Sequence, residues 1–159
     1  MNLQELIAAH REAPAVLAGL IDGVPKDTLA RPPAPGKWSV AAILAHLAED
    51  EVVTMWRYRQ MIENDGVALA GFNQDEWARL GSYDSWTPRD ALALFRLLRE
   101  ANLRMLERLT PAEWQRGGVH AERGPMTVES LARHMAGHDA NHIQQIRSIL
   151  GISPRAPTT

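Results

Sequence analysis

The 159-residue sequence contains no cysteine. That excludes a disulfide scaffold, a thiolate metal site and a thiol nucleophile carried by the protein itself. Any thiol chemistry would have to use an exogenous thiol. Lysine is nearly absent too: of 17 Lys and Arg residues, only Lys26 and Lys37 are lysines. No basic stripe forms and the formal net charge is −2, which argues against a nucleic-acid partner. No apolar run approaches the roughly 18 residues a membrane span needs. The opening MNLQELIAAHREAPAVLAGLI carries Glu5, His10, Arg11 and Glu12 inside its apolar pattern, unlike a secretion signal. No segment shows the alternation of a half-buried strand. These absences lead to the expectation of a soluble, cytoplasmic, helical protein.

What is present fits that expectation. Hydrophobic residues make up 45% and charged residues 23%, ordinary for a globular domain. One domain over residues 1–151 with a tail over 152–159 is the expected organisation. Leu3 to Ile21 reads as a first helix, with Pro14 an expected kink or early break and Gly23-Val24-Pro25 its end. Pro25, Pro32, Pro33, Pro35 and Gly36 then impose a loop. Ser39 caps a second helix that runs to about Asn64, with Val40, Ile43, Leu44, Leu47, Val53, Trp56 and Met61 as its apolar positions.

The stretch from Gly66 to Trp86 is irregular apart from a helical turn near Trp77, and is long enough to cross the molecule. Thr87-Pro88-Arg89-Asp90 opens a third helix extending to Leu109. Thr110 to Glu113 repeats the capping pattern around a short turn at Trp114, and residues 117–124 read as loop. Thr127 caps the last helix, which Gly151 ends. Four long helices and no strand signal predict an all-α four-helix bundle with a long crossover between the second and third.

The last helix carries the chemistry. His134, His138 and His142 recur every four residues and so stack along one side. A heptad through Val128, Leu131, Met135, His138, His142, Gln145 and Ile149 turns two of these imidazoles towards the core. Burying unpartnered imidazoles is costly, and a shared metal ion would offset that cost. A third ligand must come from another helix. If the second and last helices are antiparallel, His46 lies near His142; if they are parallel, it lies near His134. The set His46, His138 and His142 is the favoured one, and the alternative reading of the pair is a solvated or hydrogen-bonded one.

Three imidazoles leave a coordination position open, as at catalytic zinc, and also suit nickel, iron or copper. A bound ion would lower the pKa of a water or of a cosubstrate thiol. Asp50, one turn after His46, is a candidate fourth ligand, orienting group or general base, with a solvated carboxylate as the plain alternative. Glu49 and Asp139 read as surface or supporting groups, His134 as a bystander or pocket wall, and His10 and His120 as surface residues. Trp56 reads as core packing rather than pocket lining.

Lys37-Trp38-Ser39-Val40 leading into Ile43-Leu44-Ala45-His46-Leu47, together with His138-Asp139-Ala140-Asn141-His142-Ile143-Gln144-Gln145-Ile146, resembles the DinB-like (YfiT-like) superfamily of metalloenzymes. The resemblance covers most of the chain. It implies a four-helix bundle with a crossover and a divalent metal held by one His of the second helix and a His-x-x-x-His pair of the fourth, which here are His46, His138 and His142. Where relatives often have Gly-Gln after the second His of the pair, this chain has Ile143-Gln144.

Relatives of this kind include transferases and isomerases that use a low-molecular-weight thiol. The leading expectation is therefore a metal-dependent enzyme that activates a small thiol towards an electrophile. A metal-dependent hydrolase using Asp50 as base is the alternative. A non-catalytic metal- or ligand-binding bundle connected with stress is the third reading. The expected partner is a small-molecule substrate, and a homodimer through a helix face suits such a bundle.

Overall fold

Side-chain caps set where the long helices begin. The computed structural model describes residues 1–153, so the expected tail from residue 154 onward lies outside the described residues. Along the chain come α1 (Leu3–Ile21), α2 (Lys26–Ala30), α3 (Val40–Glu63), β1 (Val67–Leu69) and α4 (Gln74–Leu80). A 3-10 turn (Tyr83–Ser85), α5 (Pro88–Leu106), α6 (Pro111–Trp114), β2 (Gly117–His120), β3 (Gly124–Thr127) and α7 (Val128–Ile149) follow. Ser39 Oγ accepts from the Ala42 amide at 3.1 Å and Thr127 Oγ1 from the Ser130 amide at 3.1 Å, each satisfying an amide the first turn leaves free. Gly151, at φ 66°, turns the chain away from the end of α7.

The four long helices close a ring in which α3 packs on α5 and α7, and α1 packs on the other side of both. Two apolar clusters fix their directions. One joins Leu17 and Leu20 to Val40, Ile43, Leu44, Leu92, Phe95 and Ile146. The other joins Leu6 to Tyr58, Met61, Leu106, Val128 and Leu131. The starts of α3 and α5 therefore share an end with the finishes of α1 and α7. α3 and α5 are parallel, and both are antiparallel to α1 and α7. The crossover from α3 to α5 must return along the bundle, which is why it is long.

Between the clusters lies a buried polar layer. Arg99 of α5 donates to Glu51 of α3 at 2.8 Å, to Asp139 of α7 at 2.7 Å, and to the His10 carbonyl of α1 at 3.0 Å. One guanidinium thus reaches all three other long helices. Asn102 donates to the second Glu51 oxygen at 2.9 Å. Burial works against the Arg99 charge, but the two carboxylates more than offset it and hold its pKa above the ordinary value.

Pro14 explains one of these bonds. It lies inside α1 and has no amide hydrogen, so it cannot donate to the carbonyl four residues back, at His10. Arg99 supplies the missing donor. The expected break at Pro14 is absent because a neighbouring helix satisfies the carbonyl that proline leaves free.

His10, expected at the surface, is 2% exposed and donates from Nε2 to the Ala132 carbonyl at 2.9 Å. Burial first, then the Arg99 charge, holds its pKa below the ordinary 6.5. Below that pH the unfolded chain binds a proton at His10 that the native state refuses, so stability falls as pH drops from 6.5. A His10→Gln variant, which keeps a donor for Ala132, should therefore lose less melting temperature than the parent between pH 7 and pH 5. Equal slopes would remove His10 as a source of acid sensitivity.

Other sequence expectations are corrected. Residues 24–37 contain the one-turn α2, and α5 ends at Leu106 rather than Leu109. Trp56 is 64% exposed rather than in the core. The reading without strands misses a three-stranded sheet at the end of the bundle where α3 finishes and α7 begins, with β1 parallel to β2 and β2 antiparallel to β3. The expected 117–124 loop is β2 with its turn. Its glycines allow the close pairing: a Cβ at Gly118 would lie 2.7 Å from the Val67 carbonyl oxygen, and one at Gly117 would collide with the Met126 carbonyl.

Candidate metal centre

Antiparallel packing of α3 on α7 brings His46, near the start of α3, level with the second half of α7. There the i, i+4 spacing turns His138 and His142 to the same side. His46 Nε2 is 3.2 Å from His138 Nε2, which is 3.1 Å from His142 Nε2. One ligand nitrogen from each lies within 4.8 Å of the others. His46 is buried; His138 and His142 are half-buried, because the buried stripe of α7 continues through Asp139 and Ile146 rather than through the heptad His138–His142–Gln145. The two imidazoles border the core and face the cleft between α3 and α7.

The protonation pattern suits a cation. His142 Nδ1 lies 2.9 Å from Gln145 Oε1, an acceptor, so the hydrogen sits on Nδ1 and the Nε2 lone pair points inward. His138 Nε2 faces both other Nε2 atoms and can share at most one proton between two neighbours. At least one lone pair is left without a partner, which a cation among the three would satisfy. Burial, followed by the mutual repulsion of the rings, pushes His46 and His138 down to about 3. The rings are accordingly neutral near pH 7, the form that ligates metal. The donor set therefore fits a divalent ion, and the single-proton limit is the observation that says so.

Asp50 closes the group. Its Oδ2 lies 3.4 Å from His138 Nε2 and 3.6 Å from His46 Nε2. Burial raises its carboxyl to about 7, against the pull of Arg57. The wall beside His46 comes from the crossover and the α3 approach. The Trp38 ring centroid is 4.9 Å and the Tyr83 ring centroid 6.5 Å from that of His46. Tyr83 donates to Glu49 at 2.6 Å, so Glu49 supports the wall instead of lying free at the surface. Gly81 permits this approach, since a Cβ there would lie 2.7 Å from Glu49 Oε1.

The remaining candidates fall elsewhere. His134 is exposed and contacts Arg123. Asp139, expected at the surface or in support, is 3% exposed and belongs to the Arg99 layer directly behind the centre. His120, expected at the surface, is 5% exposed and lies against Arg57. A wider depression of about 850 Å³ between the end of α1 and the start of α5 contains no histidine. Sequence reasoning passed over Glu51, Arg99 and Asn102. Their signal was periodicity: Phe95, Arg99, Asn102 and Leu106 lie on one stripe of α5, and Leu47, Glu51, Thr54 and Tyr58 on one stripe of α3.

Known proteins share this fold. A protein of Geobacillus thermodenitrificans named "Putative metal-dependent hydrolase" is 29% identical over 153 residues, covering 93% of this chain and 84% of its own. YfiT from Bacillus subtilis, described as a probable metal-dependent hydrolase with an unusual four-helix bundle topology, has the same fold. It matches with a TM-score of 0.82 at 23% identity, over 95% of this chain and 89% of that one. A mycothiol-dependent maleylpyruvate isomerase matches with a TM-score of 0.72 at 11% identity, over 92% of this chain and 61% of that one. Metal-dependent relatives and a three-histidine group together support a divalent metal. Residues 9–146, from inside α1 to near the end of α7, match the DinB superfamily, and the chain belongs to that family.

Proposed function

We propose that the chain is a divalent-metal-dependent enzyme acting on a small molecule, with His46, His138 and His142 as ligands. The convergence of one ligand nitrogen from each of three histidines within 4.8 Å, beside a carboxylate oxygen, carries this reading. When bound, the ion supplies Lewis acidity to a small nucleophile or to an electrophilic carbonyl. His142, with its tautomer held by Gln145, keeps a lone pair inward. Trp38 and Tyr83 keep water from the far side of His46. Asp50, whose Oδ2 lies beside His138 and His46, would take the nucleophile's proton as a general base. Hydrolysis, with water as nucleophile, is the first reading, and the names of the relatives support it.

Transfer of a low-molecular-weight thiol is the second reading, favoured by the fold likeness to a mycothiol-dependent enzyme. One experiment separates the two. Tag-free protein is assayed for metal content, then with ester and amide substrates and with thiols plus electrophilic acceptors. Metal-dependent turnover in one panel selects that reading, and Asp50→Asn should lower it about 10²–10⁴-fold, the usual worth of a general base. Metal-bearing protein inert in both panels would remove the enzymatic reading.

A further inference from the structure

Arg57 lies seven residues beyond Asp50 on α3, about 10 Å further along the helix axis. It forms no ion pair among the described residues. Its Nη2 donates to the Ala70 carbonyl at 2.7 Å, while its Nε is buried with no partner. The same Nη2 lies 3.1 Å from His120 Nε2. His120 Nδ1 accepts from the Glu122 amide at 3.2 Å. Burial, followed by the charges of Arg57 and Arg123, lowers the His120 pKa and keeps the ring neutral. A neutral imidazole accepting at Nδ1 must carry its hydrogen on Nε2. A neutral ring accepts at one nitrogen only, so the Arg57 and Glu122 donors compete for it and one of them is left without an acceptor. An oxygen with negative charge would accept from Arg57 and leave the ring to Glu122, with the His120 Nε2 hydrogen free to donate to that same oxygen.

Arg57 itself lines a pocket of about 310 Å³ with an apolar wall. Trp56 stands 64% exposed beside it, and the Phe72 and Trp77 rings pack at a 44° tilt with centroids 4.6 Å apart. The Arg57 guanidinium lies 5.9 Å over the Phe72 ring, so the cation forms one wall of the apolar space. Charge, unpaired donors and aromatic surface meet at a single residue.

We propose that Arg57 and His120 bind the carboxylate of a small organic acid whose apolar body occupies the pocket beside Phe72 and Trp77. As an assignment of substrate class to the histidine centre this rests on the metal reading; as an anion site it stands without it. Chelator-treated and zinc-loaded protein are titrated with benzoate, benzamide and inorganic phosphate, following tryptophan fluorescence and the His120 imidazole resonances. Saturable benzoate binding is expected in both preparations, with benzamide at least about tenfold weaker, the worth of one charge-assisted hydrogen bond.

Arg57→Gln should weaken benzoate by at least about tenfold while leaving benzamide unchanged, and Arg57→Lys should recover part of the loss. Equal binding of benzoate and benzamide, or benzoate binding indifferent to Arg57, overturns the proposal. Phosphate binding as tight as benzoate overturns its organic-acid half. Should Arg57→Gln fail to fold, the wild-type comparison of benzoate with benzamide at the His120 resonances decides the matter. Metal content that does not depend on the histidines would sink the metal reading alone and leave this one standing.

Discussion

Replacing Arg99 by leucine is expected to cost about 3–5 kcal/mol of folding stability, the usual penalty for breaking a buried ion pair from one side. The loss comes less from the deleted attraction than from what stays behind. Glu51 and Asp139 would remain as buried carboxylates with no cation, and the His10 carbonyl would lose the donor that stands in for the Pro14 amide. Arg104→Leu is the control, since its pairing with Glu100 is exposed and surface pairs are worth about 0–1 kcal/mol. Denaturant unfolding of chelator-treated protein measures both without a contribution from bound metal. Adding Glu51→Gln and Asp139→Asn to Arg99→Leu should restore part of the stability, because the stranded charges are then gone. A loss below about 1 kcal/mol for Arg99→Leu alone would mean that the layer does not hold the bundle together.

His138→Ala is expected to weaken metal binding by more than about a hundredfold, beyond the range for losing a group that only orients a ligand. Its Nε2 is the one that contacts both of the others, so its removal leaves His46 and His142 without a shared neighbour. His134→Ala, one turn away and exposed, should leave affinity unchanged. Titration with zinc or nickel against a competing chelator reads both variants. Equal weakening by the two would place the ion elsewhere on α7, and no weakening by His138→Ala would end the three-histidine assignment.

The helices were legible because their signals are local. Ser39, Thr87, Thr110 and Thr127 cap the elements they were expected to cap, since an N-cap needs only its own first turn. The meeting of His46 with His138 and His142 could be foreseen because spacing fixes a face and antiparallel packing fixes a level. The sheet was not legible, since GGVH and GPMT are too short and too rich in glycine and proline to show alternation. His10 and His120 were misjudged for a related reason. Their partners, the Ala132 carbonyl and Arg57, lie 122 and 63 residues away, and no local pattern announces them. Arg99 was readable as a charge on an apolar stripe, but its meaning depended on two carboxylates on other helices.

Pro14 carries a consequence for the order of assembly. A helix lacking one of its own hydrogen bonds is poorer in isolation, and α1 completes its bonding only when Arg99 arrives from 89 residues further on. Of the four long helices, α1 comes first along the chain and is thus expected to be among the last to lock. It waits for α5 to come parallel to α3, which in turn waits for the crossover to run its length. The proline makes the beginning of the chain answer to its middle.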